Sequence, residues 1–107
     1  MIHAMDFEMQ TTENGNGSSR LLLRGELDLA SGPRVQTELA RLRDTGATVI
    51  LDLSELEFMD SAGLVAILGS VQSAREAKAT LEVDRRLRPP VARLFELTRS
   101  DDFLWPA

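Results

Sequence analysis

The stretch Val49-Ile50-Leu51-Asp52-Leu53-Ser54-Glu55-Leu56-Glu57-Phe58-Met59-Asp60-Ser61-Ala62-Gly63-Leu64 lies at the middle of a 107-residue chain. Val49-Ile50-Leu51 with Leu53 is a continuous apolar run, the pattern of a strand buried on both faces. A helix is expected to begin near Asp60 or Ser61, because Leu64, Ile67, Leu68, Val71 and Ala74 recur at helical spacing. Ser54 to Met59 reads as the loop between them. A buried strand that feeds a helix is half of a parallel α/β unit.

Working outward, Met5, Phe7 and Met9 alternate with Asp6 and Glu8, which predicts a half-buried strand. Thr11 to Ser19 reads as a loop carrying the turn dipeptides Asn14-Gly15 and Asn16-Gly17. Leu21-Leu22-Leu23 opens a second strand running to about Leu27, so the start is an antiparallel hairpin with a long tip. Ser31 reads as a helix N-cap and Pro33 suits the first turn. Val35, Leu39 and Leu42 form one apolar stripe, and Gly46 ends that helix. Leu81 and Val83 give a short strand. Pro89-Pro90 starts a third helix with Val91, Leu94 and Phe95 inward, and Phe103, Leu104 and Trp105 dock the tail. The order strand, strand, helix, strand, helix, strand, helix predicts an α/β fold with a mixed sheet. Without an internal repeat or linker, residues 1–107 are expected to form one domain.

Composition narrows the function. Seventeen acidic against 12 basic side chains give a net charge of −5, which argues against nucleic-acid binding. The absence of cysteine excludes disulfides, thiolate metal sites and thiol catalysis, and fits a reducing cytosol. No apolar run reaches the roughly 20 residues of a membrane helix, and the first residues lack the pattern of a signal peptide. A cytoplasmic protein with no membrane insertion is expected. A serine hydrolase needs a base beside its nucleophile, and the sole histidine is His3 at an edge. No glycine-rich phosphate loop is present. The chain therefore reads as a non-enzyme that needs no cofactor and no metal.

Three clusters have bland readings. Asp52, Glu55, Glu57 and Asp60 form an acidic patch, but Leu56, Phe58 and Met59 interrupt calcium-loop spacing, so it reads as a solvated loop. A phosphoacceptor role for Asp52 would need a lysine on a late strand, and the one lysine, Lys78, falls on a predicted helix. Arg85, Arg86 and Arg88 read as a solvated turn, with an anchor for an acidic partner or phosphate as the alternative.

Ser61 is the candidate for function. In open α/β sheets, sites gather beyond the carboxyl ends of strands, where Ser61 falls in a first helical turn. That turn has free backbone N–H groups and a positive dipole end. A phosphoserine would add about −1.5 to −2 charges and three acceptor oxygens there. The fold would tolerate it, so its effect would fall on a partner, and Asp60 would sharpen the repulsion of an acidic one. Asp and Ser are also the preferred residues at helix starts, so a plain cap is the competing reading.

Phe58-Met59-Asp60-Ser61-Ala62-Gly63-Leu64 resembles the signature of the STAS domain, a family of sulphate-transporter segments and anti-sigma factor antagonists. Gly25-Glu26-Leu27-Asp28 resembles its second motif, and Val91-Ala92-Arg93-Leu94-Phe95-Glu96-Leu97 is similar to its last helix. The resemblance implies a STAS-like mixed β-sheet, with an opening antiparallel hairpin and helices packed on the sheet. It implies an anti-sigma factor antagonist that binds an anti-sigma factor serine kinase and so frees a sigma factor. Phosphorylation at Ser61 would switch it off, and a serine phosphatase would reset it. The implied partner surface is Asp28, Asp60, Ser61, Ala62, Gly63 and Leu64, with Gly63 giving either close approach of the partner's backbone or tight internal packing. The free protein is expected to be a monomer. The alternative within the family is a regulatory subunit of a membrane transport complex. Ala62 stands where many relatives have a second serine, Ala77-Lys78-Ala79 lacks an expected glycine, and Thr98-Arg99-Ser100 replaces a glycine turn.

Overall fold

The structure, a computed structural model, describes residues 7–106; His3, Met5 and Asp6 lie outside the described residues. In chain order the elements are β1 (Phe7–Glu13), β2 (Ser18–Leu27), α1 (Gly32–Asp44), β3 (Thr48–Met59), α2 (Ser61–Glu76), β4 (Leu81–Val83), α3 (Pro89–Thr98) and α4 (Ser100–Leu104). The strands form one sheet in the order β1-β2-β3-β4. β1 and β2 are antiparallel, and the two later pairings are parallel. This is the mixed α/β sheet expected.

The hairpin tip is shorter than the polar composition suggested. Thr11↔Leu21 through Glu13↔Ser19 pair in the ladder, so only Asn14 to Gly17 turns. Asn14 N–H donates to Ser18 O at 3.0 Å, and the Ser18 hydroxyl donates to Asn16 Oδ1 at 2.6 Å. Side-chain amides and hydroxyls close the turn, and Thr and Ser serve in the ladder as ordinary strand residues.

β3 runs through the segment read as a loop. Its register against β2 steps from Leu22↔Asp52 to Arg24↔Glu55, then from Gly25↔Leu56 to Glu26↔Phe58. Each step leaves one extra residue on β3, the signature of a bulge. Ser54 N–H and its hydroxyl both bond Asp52 Oδ1, at 2.9 and 2.6 Å, beside the first step. Across the two bulges the buried apolar residues step by three, from Leu53 to Leu56 to Met59, where a strict period of two would turn Leu56 away. Gly25, at φ +90°, supplies the backbone at the second step.

The core joins Leu21, Leu23 and Leu27 of β2 to Leu51, Leu53 and Leu56 of β3, with Val35 of α1, Ile67 of α2 and Phe95 of α3, all at 1% exposure or less. α1 reaches over β1, with the Arg34 guanidinium 5.3 Å from the Phe7 ring centre. β4 pairs only with Val49 to Leu51. Beyond it α3 lies against β3, and Arg88 Nε donates to Ser54 O at 3.3 Å. The tail docks as expected: Trp105 Nε1 donates to Val83 O at 2.7 Å and its ring meets Phe95 edge-on. Arg75 donates to Phe103 O at 2.7 Å and stacks on its ring.

Candidate partner-binding site

The site is built where β2 and β3 end side by side. Asp60 N–H donates to Leu27 O at 3.1 Å, which ties the start of α2 to the end of β2. Asp60 is extended, at φ −95° and ψ −178°, and its Oδ1 accepts the Gly63 N–H at 2.9 Å. Asp60 is thus the N-cap of α2, and Ser61 is its first helical residue. The helix-cap reading of the Asp-Ser pair falls to Asp60. Ser61 is exposed, and its hydroxyl has no hydrogen-bond partner among the described residues.

Gly63 is buried against the chain itself. A Cβ placed on it would lie 2.6 Å from Leu27 O and 2.9 Å from Leu27 Cγ. The glycine lets α2 begin in contact with the end of β2, so internal packing accounts for it. Leu64 is buried in the core, and Ala62 is half-buried.

Asp28 organises the neighbouring turn. Its Oδ1 accepts the backbone N–H groups of Ala30 and Ser31 and the Ser31 hydroxyl, each at 3.0 Å. The Ser31 N–H and then its hydroxyl hold the Asp28 carboxyl below the usual carboxylate range. Ser31 occupies the N-cap position of α1 as expected but makes no side-chain cap. Its hydroxyl is turned back onto Asp28, and Asp28 N–H donates to it at 2.9 Å. A Cβ on Gly32 would lie 3.2 Å from Ala66 Cβ and 3.8 Å from Ala62 O, so the first turns of α1 and α2 touch. The structure thereby brings the Asp28 turn and the Ser61 turn onto one end of the sheet.

Two residues that sequence reasoning passed over complete this end. Leu29 is 76% exposed, directly after Asp28, and Val65 is 66% exposed, one helical turn after Ser61. Their signal was their position off the apolar stripe: Leu64, Ile67 and Val71 face the core, and Val65 does not.

The charged clusters resolve differently. Asp52 is buried and accepts from Arg20 Nη1 at 3.0 Å, while Glu55 takes Arg24 Nε at 2.8 Å. Asp52 and Glu55 are therefore strand residues paired with β2, which corrects the solvated-loop reading for them, while Glu57 stays exposed on β3 and Asp60 caps α2. Among the described residues no group of three or more His, Cys, Asp or Glu is placed to hold a metal. The arginine cluster is engaged within the chain. Arg86 pairs with Asp84 at 2.9 Å, Arg85 lies 5.3 Å from the Trp105 ring centre, and Arg88 caps Ser54 O. No helix of the described residues is long and apolar enough to cross a membrane.

With this geometry in hand, known proteins offer a comparison. The anti-sigma-B factor antagonist of Bacillus subtilis is 26% identical over 100 residues, covering 94% of this chain and 90% of that protein. The putative anti-sigma factor antagonist BtrV of Bordetella bronchiseptica is 32% identical over 89 residues, covering 82% and 76%. Among solved structures, an anti-sigma factor antagonist from Mycobacterium paratuberculosis superposes with a TM-score of 0.78 at 21% identity, over 95% of this chain and 87% of that one. The Bacillus cell fate determinant SpoIIAA in its phosphorylated form gives 0.66 at 22% identity, over 85% and 83%. Residues 10–106 match the family model described as "Mlab, STAS domain", and the chain belongs to the STAS domain family.

Proposed function

We propose that this protein is a cytoplasmic anti-sigma factor antagonist that binds an anti-sigma factor serine kinase and is released when Ser61 is phosphorylated. The observation that carries the reading is the division of labour at the start of α2: Asp60 caps the helix, and the exposed Ser61 hydroxyl is left without a structural duty. Relatives that bear the antagonist name support the partner class. SpoIIAA, which shares the fold, has both unphosphorylated and phosphorylated forms, as the reading requires of this chain.

The geometry gives a mechanism. Leu29, Val65, Ala62 and Ser61 make a neutral contact surface, edged by Asp28 and Asp60. Covering the exposed Leu29 and Val65 side chains with a partner would remove apolar surface from water and so favour binding. Gly63 and Leu64 hold that surface from beneath. The kinase, with its own ATP, transfers a phosphoryl group to the Ser61 oxygen. The new charge of about −1.5 to −2 meets the free N–H groups of the first turn and the helix dipole, so the fold accommodates it. The partner, fitted to a neutral surface beside two carboxylates, meets repulsion and a desolvation cost instead. A serine phosphatase restores the binding form. No step of this cycle asks the chain to catalyse.

Affinity capture from cell extract tests the partner class. The tagged protein is expected to retain a soluble protein with a kinase-type ATP site, and to lose it on addition of ATP. Retention of a transporter ATPase subunit, unaffected by ATP, would replace the proposal with the transport-subunit reading.

A further inference from the structure

At the other end of the helix pair, away from Ser61, α1 and α2 separate over the first residues of β3 and β4. The cleft between them has a volume of about 260 Å³. Leu39, Ala40, Val49, Ala74 and Leu81 give it apolar walls, and Gln36, Arg43, Ser73 and Thr80 bring polar groups. The Arg43 side chain is about two-thirds covered. Its ionic partner among the described residues is the exposed Asp44 at 3.7 Å, a contact worth little in water. Gln36, Ser73 and Thr80 are solvent-exposed, and their side-chain donors have no partner among the described residues, whereas Ser70 is committed to Ala66 O.

Gly69 is the second, independent observation. It sits inside α2, where glycine is the poorest choice after proline. Its backbone φ is negative, and a Cβ there would meet nothing nearer than Gln36 Nε2 at 3.8 Å. Neither conformation nor packing within the chain calls for glycine at this position, which lines the cleft. Close approach of a bound molecule would.

From these features we infer that the α1–α2 cleft is a binding site for a small organic carboxylate with an apolar body. The volume lies just below the usual range for ligand pockets, which sets the size. Arg43 is the one charged side chain of the lining, so the site matches a single negative charge; a phosphate ester would call for a second cation or a run of free backbone N–H groups. Arg43 takes the carboxylate, with Ser73, Thr80 and Gln36 placed as further donors. The apolar body lies on Leu39, Val49 and Leu81, against the bare backbone of Gly69. This site is separate from the Ser61 surface and does not depend on the proposed partner.

Two-dimensional NMR titration of the full chain tests it, with phenylacetate and hexanoate as probes and benzyl alcohol and hexanol as neutral counterparts. The acids are expected to give saturable shifts at amides around the cleft, such as Ala40, Gly69 and Thr80. The alcohols, and the acids against Arg43→Gln, are expected to bind about tenfold more weakly or worse, the loss of one charge-assisted contact. Gly69→Leu is expected to fill the site and abolish the shifts while the melting temperature holds or rises. Unsaturable shifts, equal binding of acid and alcohol, or wild-type binding by Arg43→Gln would each overturn the site. The last two readouts hold even if Gly69→Leu fails to fold.

Discussion

At the start of α2, Asp60 and not Ser61 does the structural work. The carboxylate takes the Gly63 N–H, and the exposed serine hydroxyl has no partner among the described residues. Substitutions at the two positions should therefore behave oppositely. Ser61→Ala and Ser61→Asp are expected to leave stability within about 0.5 kcal/mol, the range of surface changes, with Asp also favoured by the dipole. Asp60→Ala should cost about 1 kcal/mol through the lost cap. Urea unfolding followed by the single Trp105 measures both; a loss above about 2 kcal/mol in Ser61→Asp would contradict a surface role. Partner binding should follow the other order, with Ser61→Asp strongly weakened and Ser61→Ala retained. Leu29→Ala and Val65→Ala should leave the melting temperature alone and each weaken the partner by about 1–2 kcal/mol, read by calorimetry. Gly63→Ala differs again. Its Cβ meets the Leu27 carbonyl, and no rotamer relieves a backbone clash, so about 1–3 kcal/mol of stability should be lost.

At the scale of elements, the two departures from family pattern outside the serine motif turn out to be conformational. Lys78 and Arg99 both hold left-handed backbone, at φ 57° and 58°. These are the positions where Ala77-Lys78-Ala79 and Thr98-Arg99-Ser100 lack a glycine. A left-handed residue with a side chain costs roughly 1 kcal/mol that glycine avoids. Lys78→Gly and Arg99→Gly are each expected to raise the unfolding free energy from urea titration by up to about 0.5 kcal/mol, after the entropy that glycine adds to the unfolded chain. The strands show what sequence periodicity carries and what it does not. The stripes Val35/Leu39/Leu42 and Leu64/Ile67/Val71 announced both long helices, because a helical period survives unbroken to the end of the element. β3 beyond Leu53 is hidden in the sequence because the first bulge shifts Leu56 out of simple alternation and the second is needed to bring Met59 back into it. β1 and β2 were under-extended for another reason: Thr, Ser and Glu beside a turn read as loop, and the cross-strand ladder that recruits them is a tertiary fact. At the site, the Asp-Ser motif located α2's start, but only the geometry of Asp60 and Gly63 told cap from free hydroxyl. Leu29 and Val65 carried no motif at all.

Across the whole molecule, charge ties β2 and β3 to the end of β4. Arg20 on β2 reaches Asp52 on β3 and Asp84 after β4, at 3.0 and 3.2 Å, and Arg86 closes the cluster. Asp84 is held far below the usual carboxylate range by Arg86 and Arg20. For Asp52, burial works upward, but the Ser54 donors and Arg20 outweigh it and bring the carboxyl down. Groups depressed in the folded state stabilise it above their unfolded pKa of about 4, and that stability is lost as pH falls through the folded values. The urea midpoint should be level from pH 7 to about 5 and then decline below about 4. Arg20→Met leaves the buried Asp52 with the Ser54 donors and, as its remaining cation among the described residues, the distant Arg86 at 3.8 Å, and should cost about 2 kcal/mol at pH 7 while partly flattening the acid decline. An undiminished acid decline in that variant would move its origin elsewhere.

The central claim, that one hydroxyl at the start of α2 switches partner binding, is tested most directly by intact and tandem mass spectrometry of the protein taken from its own cells. The account predicts a fraction heavier by a single phosphate, mapped to Ser61, and no such fraction in Ser61→Ala. Absence of phosphate in every growth state, or a phosphate that persists in Ser61→Ala on Ser54 or Ser70, would contradict it and leave the Asp60-Ser61 pair as a helix start alone.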